Sequence, residues 1–143
     1  MTLTLNQALT IAQITLAEGQ KLKLAPLCVV VLDAGGHALA LLRDERASIS
    51  RPEIATGKAA GCIGMGFGGR ELAKRAAVVP QFFTALASIF PNGIIPVPGG
   101  VLIRDAAGAL LGAVGVTGDT SDNDELCALA GIAAAGLVAD TGA

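Results

Sequence analysis

The sequence has no tryptophan and no tyrosine, and its only aromatic rings are four phenylalanines in 143 residues. A core built from this chain relies on small side chains and close backbone packing, and 19 glycines supply much of the means. There is one histidine, His37, and three scattered cysteines, Cys28, Cys62 and Cys127. One His and three Cys without ligand spacing do not make a tetrahedral zinc set, and an odd number of Cys does not make a disulfide framework. Each Cys lies among apolar or small residues, which suits a buried, reduced thiol. Charged residues are only 15%, the net charge is −2, and no block of Lys or Arg occurs. That argues against a nucleic-acid groove. No run approaches the roughly 18 apolar residues that span a bilayer. Met1 to Thr4 lacks the basic start and long apolar stretch of a signal peptide, so a cytoplasmic location is expected.

What is present is apolar: 52% of residues, with a mean hydropathy of +0.64. The length suits one domain with one core over residues 1–143. A surplus of apolar surface with no membrane to receive it points to a subunit interface, hence a homo-oligomer.

Along the chain, Thr4 and Gln7 form a capping box. Leu5, Leu9, Ala12 and Leu16 then recur at helical spacing, and this helix ends near Leu22. Leu27 to Leu32, the turn Asp33-Ala34-Gly35-Gly36, and Ala38 to Leu42 read as a β-hairpin. The design returns in Val101 to Arg104, Asp105-Ala106-Ala107-Gly108 and Ala109 to Val116, with Asp105 aligned to Asp33 and Gly108 to Gly36. Between the hairpins, Ser50 to Glu53 is expected to be a second capping box with Pro52 in the first turn. Gly57 and Gly61 give that helix a flat face that another backbone could approach. Gly64 to Gly69 ends it, Arg70 to Ala77 adds a short turn, and Pro80 to Ile89 reads as another helix. After the Pro/Gly-rich loop Pro91 to Gly100 and the second hairpin, Thr120 or Ser121 caps a last helix. Asp122, Asp124 and Glu125 stand in its first turn, where the helix dipole favours negative charge.

Several of these segments together resemble the GlcG/HbpS-like haem-binding family. They are Val29 to His37, Ala55-Thr56-Gly57-Lys58-Ala59, Pro96-Val97-Pro98-Gly99-Gly100-Val101-Leu102-Ile103, and Gly112 to Gly118 followed by the acidic helix start. The C-terminal domain of PduO-type proteins is similar. The resemblance covers nearly the whole chain. It implies an α/β fold of the α+β type, in which a profilin-like antiparallel sheet of two hairpins is flanked by helices. It also implies assembly into higher oligomers and, for some relatives, haem binding.

His37 follows the first hairpin turn. An imidazole there could ligate haem iron, act as a general base, or simply stand in solvent. Lys58 lies among small residues, where an ammonium could meet a haem propionate or an acid substrate, snorkel, or join an ion pair. Arg43 and Arg104 are further anion contacts. Gly99 and Gly100 would let backbone amides face a ligand, and Phe67 would wall it. Gly64 to Gly69 matches G-x-G-x-x-G, but a dinucleotide site needs a strand before it, and here a helix precedes. Asp122, Asp124 and Glu125 could offer carboxylates to a metal, although capping accounts for them. No Ser-His-Asp arrangement can be assembled.

Three functions fit these residues. The first is a homo-oligomer binding haem or a similar flat acidic ligand, with His37 on iron and Lys58 or an Arg on the carboxylates. The second is a cofactor-independent enzyme, of lyase or isomerase type, for a small organic acid or aromatic catabolite. There His37 would move a proton while Lys58 and the Gly99-Gly100 amides hold the anion. The third is an accessory subunit without ligand chemistry.

Overall fold

The turn chemistry repeated in the sequence builds the sheet. In the computed structural model, which describes all residues 1–143, the Asp33 carboxylate accepts from the backbone N–H of Gly35 and of His37, both at 2.9 Å. Asp105 does the same for Ala107 at 3.0 Å and Ala109 at 2.9 Å. Gly36 and Gly108 then close the two turns at φ 84° and 89°, a region that only glycine enters without cost. These turns join β1 (Cys28–Asp33) to β2 (Ala38–Arg43) and β3 (Gly100–Arg104) to β4 (Leu110–Thr117). The hairpins meet through β1 and β4, and a fifth strand, β5 (Val138–Asp140), adds to β3. The order is β2-β1-β4-β3-β5, and every pairing is antiparallel.

Alternation along the strands supplies two apolar faces. Val29, Val31, Val101, Ile103, Val114 and Val116 pack against α1 (Leu5–Lys21) and α5 (Ser121–Ala134). Cys28, Val30, Leu32, Leu102 and Ala113 pack against α2 (Arg51–Met65), α3 (Gly69–Val78) and α4 (Pro80–Leu86). No helix is long and apolar enough to cross a membrane.

The Thr4–Gln7 capping box forms as expected. The buried stripe of α1, however, is Ala8, Ile11, Ala12, Thr15 and Gly19, whereas Leu5 is exposed. Small side chains win the inward face because α5 comes so close. A side chain at Gly131 of α5 would sit 2.5 Å from the Ile11 carbonyl oxygen. Ser50 does not form the expected second capping box: it already has helical backbone angles, φ −88° and ψ −2°, and its hydroxyl makes no cap bond. Residues 69–78 form a ten-residue helix rather than a short turn. The helix from Pro80 stops at Leu86.

The closest packing in the molecule is α2 on the sheet. A Cβ at Gly115 would lie 2.0 Å from the Ala55 carbonyl oxygen, and one at Gly100 would lie 2.7 Å from that of Lys58. On its outer side, Gly57, Gly61 and Gly64 receive Ile95, Ile94 and Phe90 of the incoming loop, and Ile95 N–H donates to the Gly57 carbonyl at 3.1 Å. The flat face read from Gly57 and Gly61 therefore does admit another stretch of chain.

Lys58 leaves α2 through the gap beside Gly99. Its ammonium donates to the Val116 carbonyl at 2.8 Å and to the Asp124 carboxylate at 3.1 Å, with side-chain exposures of 4% and 1%. The other Asp124 oxygen accepts from Asp119 N–H at 3.0 Å. Burial pushes the Asp124 carboxyl up and the Lys58 ammonium down, and their attraction opposes both shifts without cancelling them. A raised Asp124 contributes stability below its unfolded value and loses it as pH rises through the folded one. A lowered Lys58 contributes stability above its unfolded value and loses it as pH falls. Both shifts therefore oppose stability at neutral pH, where both groups are charged, and the pair acts as a positional tie between α2 and α5 rather than a source of stability.

Lys58→Met, which strands the Asp124 carboxylate, lowers unfolding stability by about 3–5 kcal/mol. Lys58→Met/Asp124→Asn recovers more than half of that in urea titrations, because the neutral amide still accepts from Asp119. The three thiols are free and buried, and burial pushes Cys62 up to about 12 and Cys28 and Cys127 up to about 11. A disulfide reagent at pH 8 thus labels none of them in the folded protein and all three once it is denatured.

Candidate functional site

The β1–β2 turn carries His37 out into solvent. Asp33 clamps the backbone on both sides of Gly36, and the imidazole lies over Gly35, where an added Cβ would meet its Cδ2 at 3.1 Å. The ring nitrogens make no hydrogen bond within the chain; only the His37 backbone is engaged, its N–H donating to the Asp33 carboxylate and its carbonyl accepting from Asp33 N–H at 2.8 Å. Beneath the ring, between the turn and α2, is a cavity of about 260 Å³. Its walls are Ala60, Ile63 and Gly64 of α2 and the loop residues Phe90 to Gly93. A shallower cleft of about 480 Å³ adjoins it across Pro91 and Asn92 and runs to Leu41, Glu53 and Thr56. The groove so formed follows α2, with His37 at one end and Glu53 at the other. No Lys or Arg lines either part.

The remaining residues singled out in the sequence lie elsewhere. Lys58 projects from α2 into the ion pair with Asp124, not into the groove, so it cannot serve as a ligand or catalytic cation beside His37. Gly99, at φ 108°, leaves space for that ammonium: a Cβ there would stand 2.9 Å from Lys58 Nζ. Gly100 seats α2. These two glycines make room for packing, the Gly99 carbonyl accepts from Val116 N–H at 2.9 Å, and neither lines the His37 groove. Arg43 donates to the Ala47 carbonyl at 2.8 Å, and Arg104 pairs with Asp140 at 2.9 Å, tying β5 to β3. Phe67 carries the Arg75 guanidinium over its face at 4.0 Å.

The acidic helix start is also committed. Arg70 bridges Asp122 at 2.8 Å and Glu125 at 2.9 Å, while Asp124 holds Lys58. Those contacts occupy the three carboxylates considered for a metal, while the Thr120 hydroxyl caps α5 by accepting from Asn123 N–H. The G-x-G-x-x-G stretch joins α2 to α3 with no strand before it, so it does not have the context of a dinucleotide site. Ile63 and Asn92 line the groove beside Phe90 and carried no motif. The signal that could have found them is the small-residue stripe of Gly57, Gly61 and Gly64, which receives the loop from Phe90 to Ile95.

The sequence profile described as "Haem degrading protein HbpS-like" matches residues 3–133. The chain belongs to the HbpS-like family. Among solved structures, HbpS is 30% identical with a TM-score of 0.80, covering 93% of this chain and 89% of that one. The Klebsiella pneumoniae protein ORFY is 26% identical with a TM-score of 0.78, covering 93% and 90%. PduOC, solved as a complex with haem, is 22% identical with a TM-score of 0.85, covering 96% and 98%, a likeness of fold. No curated protein matches the chain. The HbpS-like fold is thus the profilin-like sheet expected from the sequence, with a fifth strand added.

Because the His37 ring rests on Gly35, Gly35→Ala is expected to displace it. The imidazole resonances shift in the proton–nitrogen spectrum, while stability stays within about 0.5 kcal/mol, as for other surface changes.

Proposed function

We propose that this HbpS-like chain binds haem, or a flat acidic molecule of similar shape, in the groove headed by His37, and that it works as a homo-oligomer. One observation carries the reading: the only histidine stands exposed, its ring free of hydrogen bonds, at the mouth of a cavity walled by apolar side chains and backbone. An imidazole nitrogen with no competing partner is a good axial ligand for haem iron. Ile63, Ala60 and Phe90 offer an apolar wall, and Gly64 and Gly93 add no side chain to obstruct a flat ring. The family's description and the haem complex of PduOC support the same reading.

The fit of haem to these residues is good for iron and ring and open for the carboxylates. His37 would hold the iron, and Ile63 and Phe90 would keep water from the buried side of the ring. The groove lacks a cation, so the carboxylates would extend to its open side. When bound, haem supplies a redox-active iron that no side chain here can provide. A second copy is the natural cover for the rest of the apolar surface. Leu5 of α1, Leu22 at its end, Leu126 of α5 and Ile49 before α2 are all exposed.

Titration of the purified protein with ferric haem tests the site. A saturable Soret shift is expected, displaced or lost in His37→Ala. Spectra that ignore the substitution would remove His37 as the ligand. Sedimentation is expected to give a multiple of the 14.2 kDa chain mass, and a monomer would overturn the assembly.

A further inference from the structure

The other side of α2's end leads to a separate cleft, of about 370 Å³, between α3 and α4. Its walls are apolar and unusually open: Val78 is 79% exposed, Phe82 is 52% exposed, and Val79 is exposed beside them. Pro80 at the start of α4 forces the break in the chain that turns these three side chains outward together. Phe83 and Met65 close the floor, with Phe82 edge-on to Phe83 at 5.8 Å between centroids. The rim is charged and unbalanced. Lys74, Arg75 and Glu71 all line it. Arg75 lies 3.5 Å from Glu71 and over Phe67, whereas Lys74 makes no ion pair or side-chain hydrogen bond within the chain. An apolar floor beside one uncompensated cation is complementary to a molecule with an apolar body and one negative end.

We propose that this cleft is a second ligand site, for a small amphipathic carboxylic acid. Its acyl or aryl body lies on Val78, Val79 and Phe82, and its carboxylate meets Lys74. The site is independent of the His37 groove, which shares none of its lining residues. A membrane surface or a second copy could also use apolar residues here. The cleft's size, about 370 Å³, and its single free cation favour a small acid, and the test separates the three.

The probe is decanoate, with decanol as the neutral control, titrated calorimetrically into the native protein and into Lys74→Ala, Phe82→Ser and His37→Ala. Saturable decanoate binding is expected, stronger than decanol. Lys74→Ala should weaken it about fivefold, the size of one exposed ion pair, and Phe82→Ser should weaken it by at least that much. His37→Ala should bind decanoate unchanged, and Lys74→Ala should keep the Soret response, so the two sites fail separately. Both cleft residues are exposed, and unchanged unfolding curves would confirm that the variants fold. No saturable binding, or binding indifferent to both cleft variants, overturns the proposal. So does Phe82→Ser dissociating an assembly that does not take up decanoate, which would make the face a contact between copies. Equal affinity for decanoate and decanol, with sedimentation onto anionic vesicles lost in Phe82→Ser, would make it a lipid surface and overturn the proposal as well.

Discussion

The distance between α2 and the sheet governs the rest of this molecule. At Gly115 and Gly100 the helix backbone comes so near that a single methyl group would collide with a carbonyl oxygen. Such proximity gives many dispersion contacts per residue and compensates for a core with almost no aromatic rings. It also leaves no room for adjustment, so α2 has essentially one seat. Lys58 fixes that seat along the helix axis. Its ammonium passes the bare Cα of Gly99 to reach Val116 and Asp124, linking a helix on one face of the sheet to the start of the helix on the other. The tie is an expensive one, since both charges are removed from water, and its value is positional.

Both candidate sites depend on where α2 sits and where it ends. Its outer face, pared down at Gly57, Gly61 and Gly64, receives the loop from Phe90 to Ile95, and the groove under His37 is the space left between that loop and the β1–β2 turn. At its C-terminus the chain reverses into α3 and α4, and the α3–α4 cleft opens against Met65. One rigid helix therefore separates a groove with an imidazole and no fixed cation from a cleft with a cation and no imidazole. The two sites suit different chemistry.

Much of the frame was legible in the chain because it rests on local rules. The Asp-x-x-Gly turns announced both hairpins, and the carboxylates of Asp33 and Asp105 perform the same backbone clamp. Thr4 with Gln7, and Thr120 before three acidic residues, announced two helix starts. Strand β5 escaped notice because three residues, Val138 to Asp140, carry no periodicity. They are recruited by pairing with β3 and by the Arg104–Asp140 ion pair. The exposure of Leu5 and the burial of Thr15 in α1 ran against hydrophobic pattern because the approach of α5 selects for size, not for apolarity.

What the sequence by itself determined is most of the elements, the two hairpin turns and the place of the single histidine beside one of them, all consequences of contacts within a few residues. The tertiary structure alone decided what each charged or flexible residue is for. Lys58 and His37 are 21 positions apart and read equally well as one site, yet the helix turns Lys58 inward to Asp124, 66 positions on. Gly99 and Gly100 read as a ligand loop, and the packing uses them as the clearance for that lysine and its helix. Lys74, with nothing in its own segment to distinguish it, is left as the free cation of an apolar cleft. Partners of a charge are chosen by the packing of distant elements, and no local pattern encodes which of them will meet.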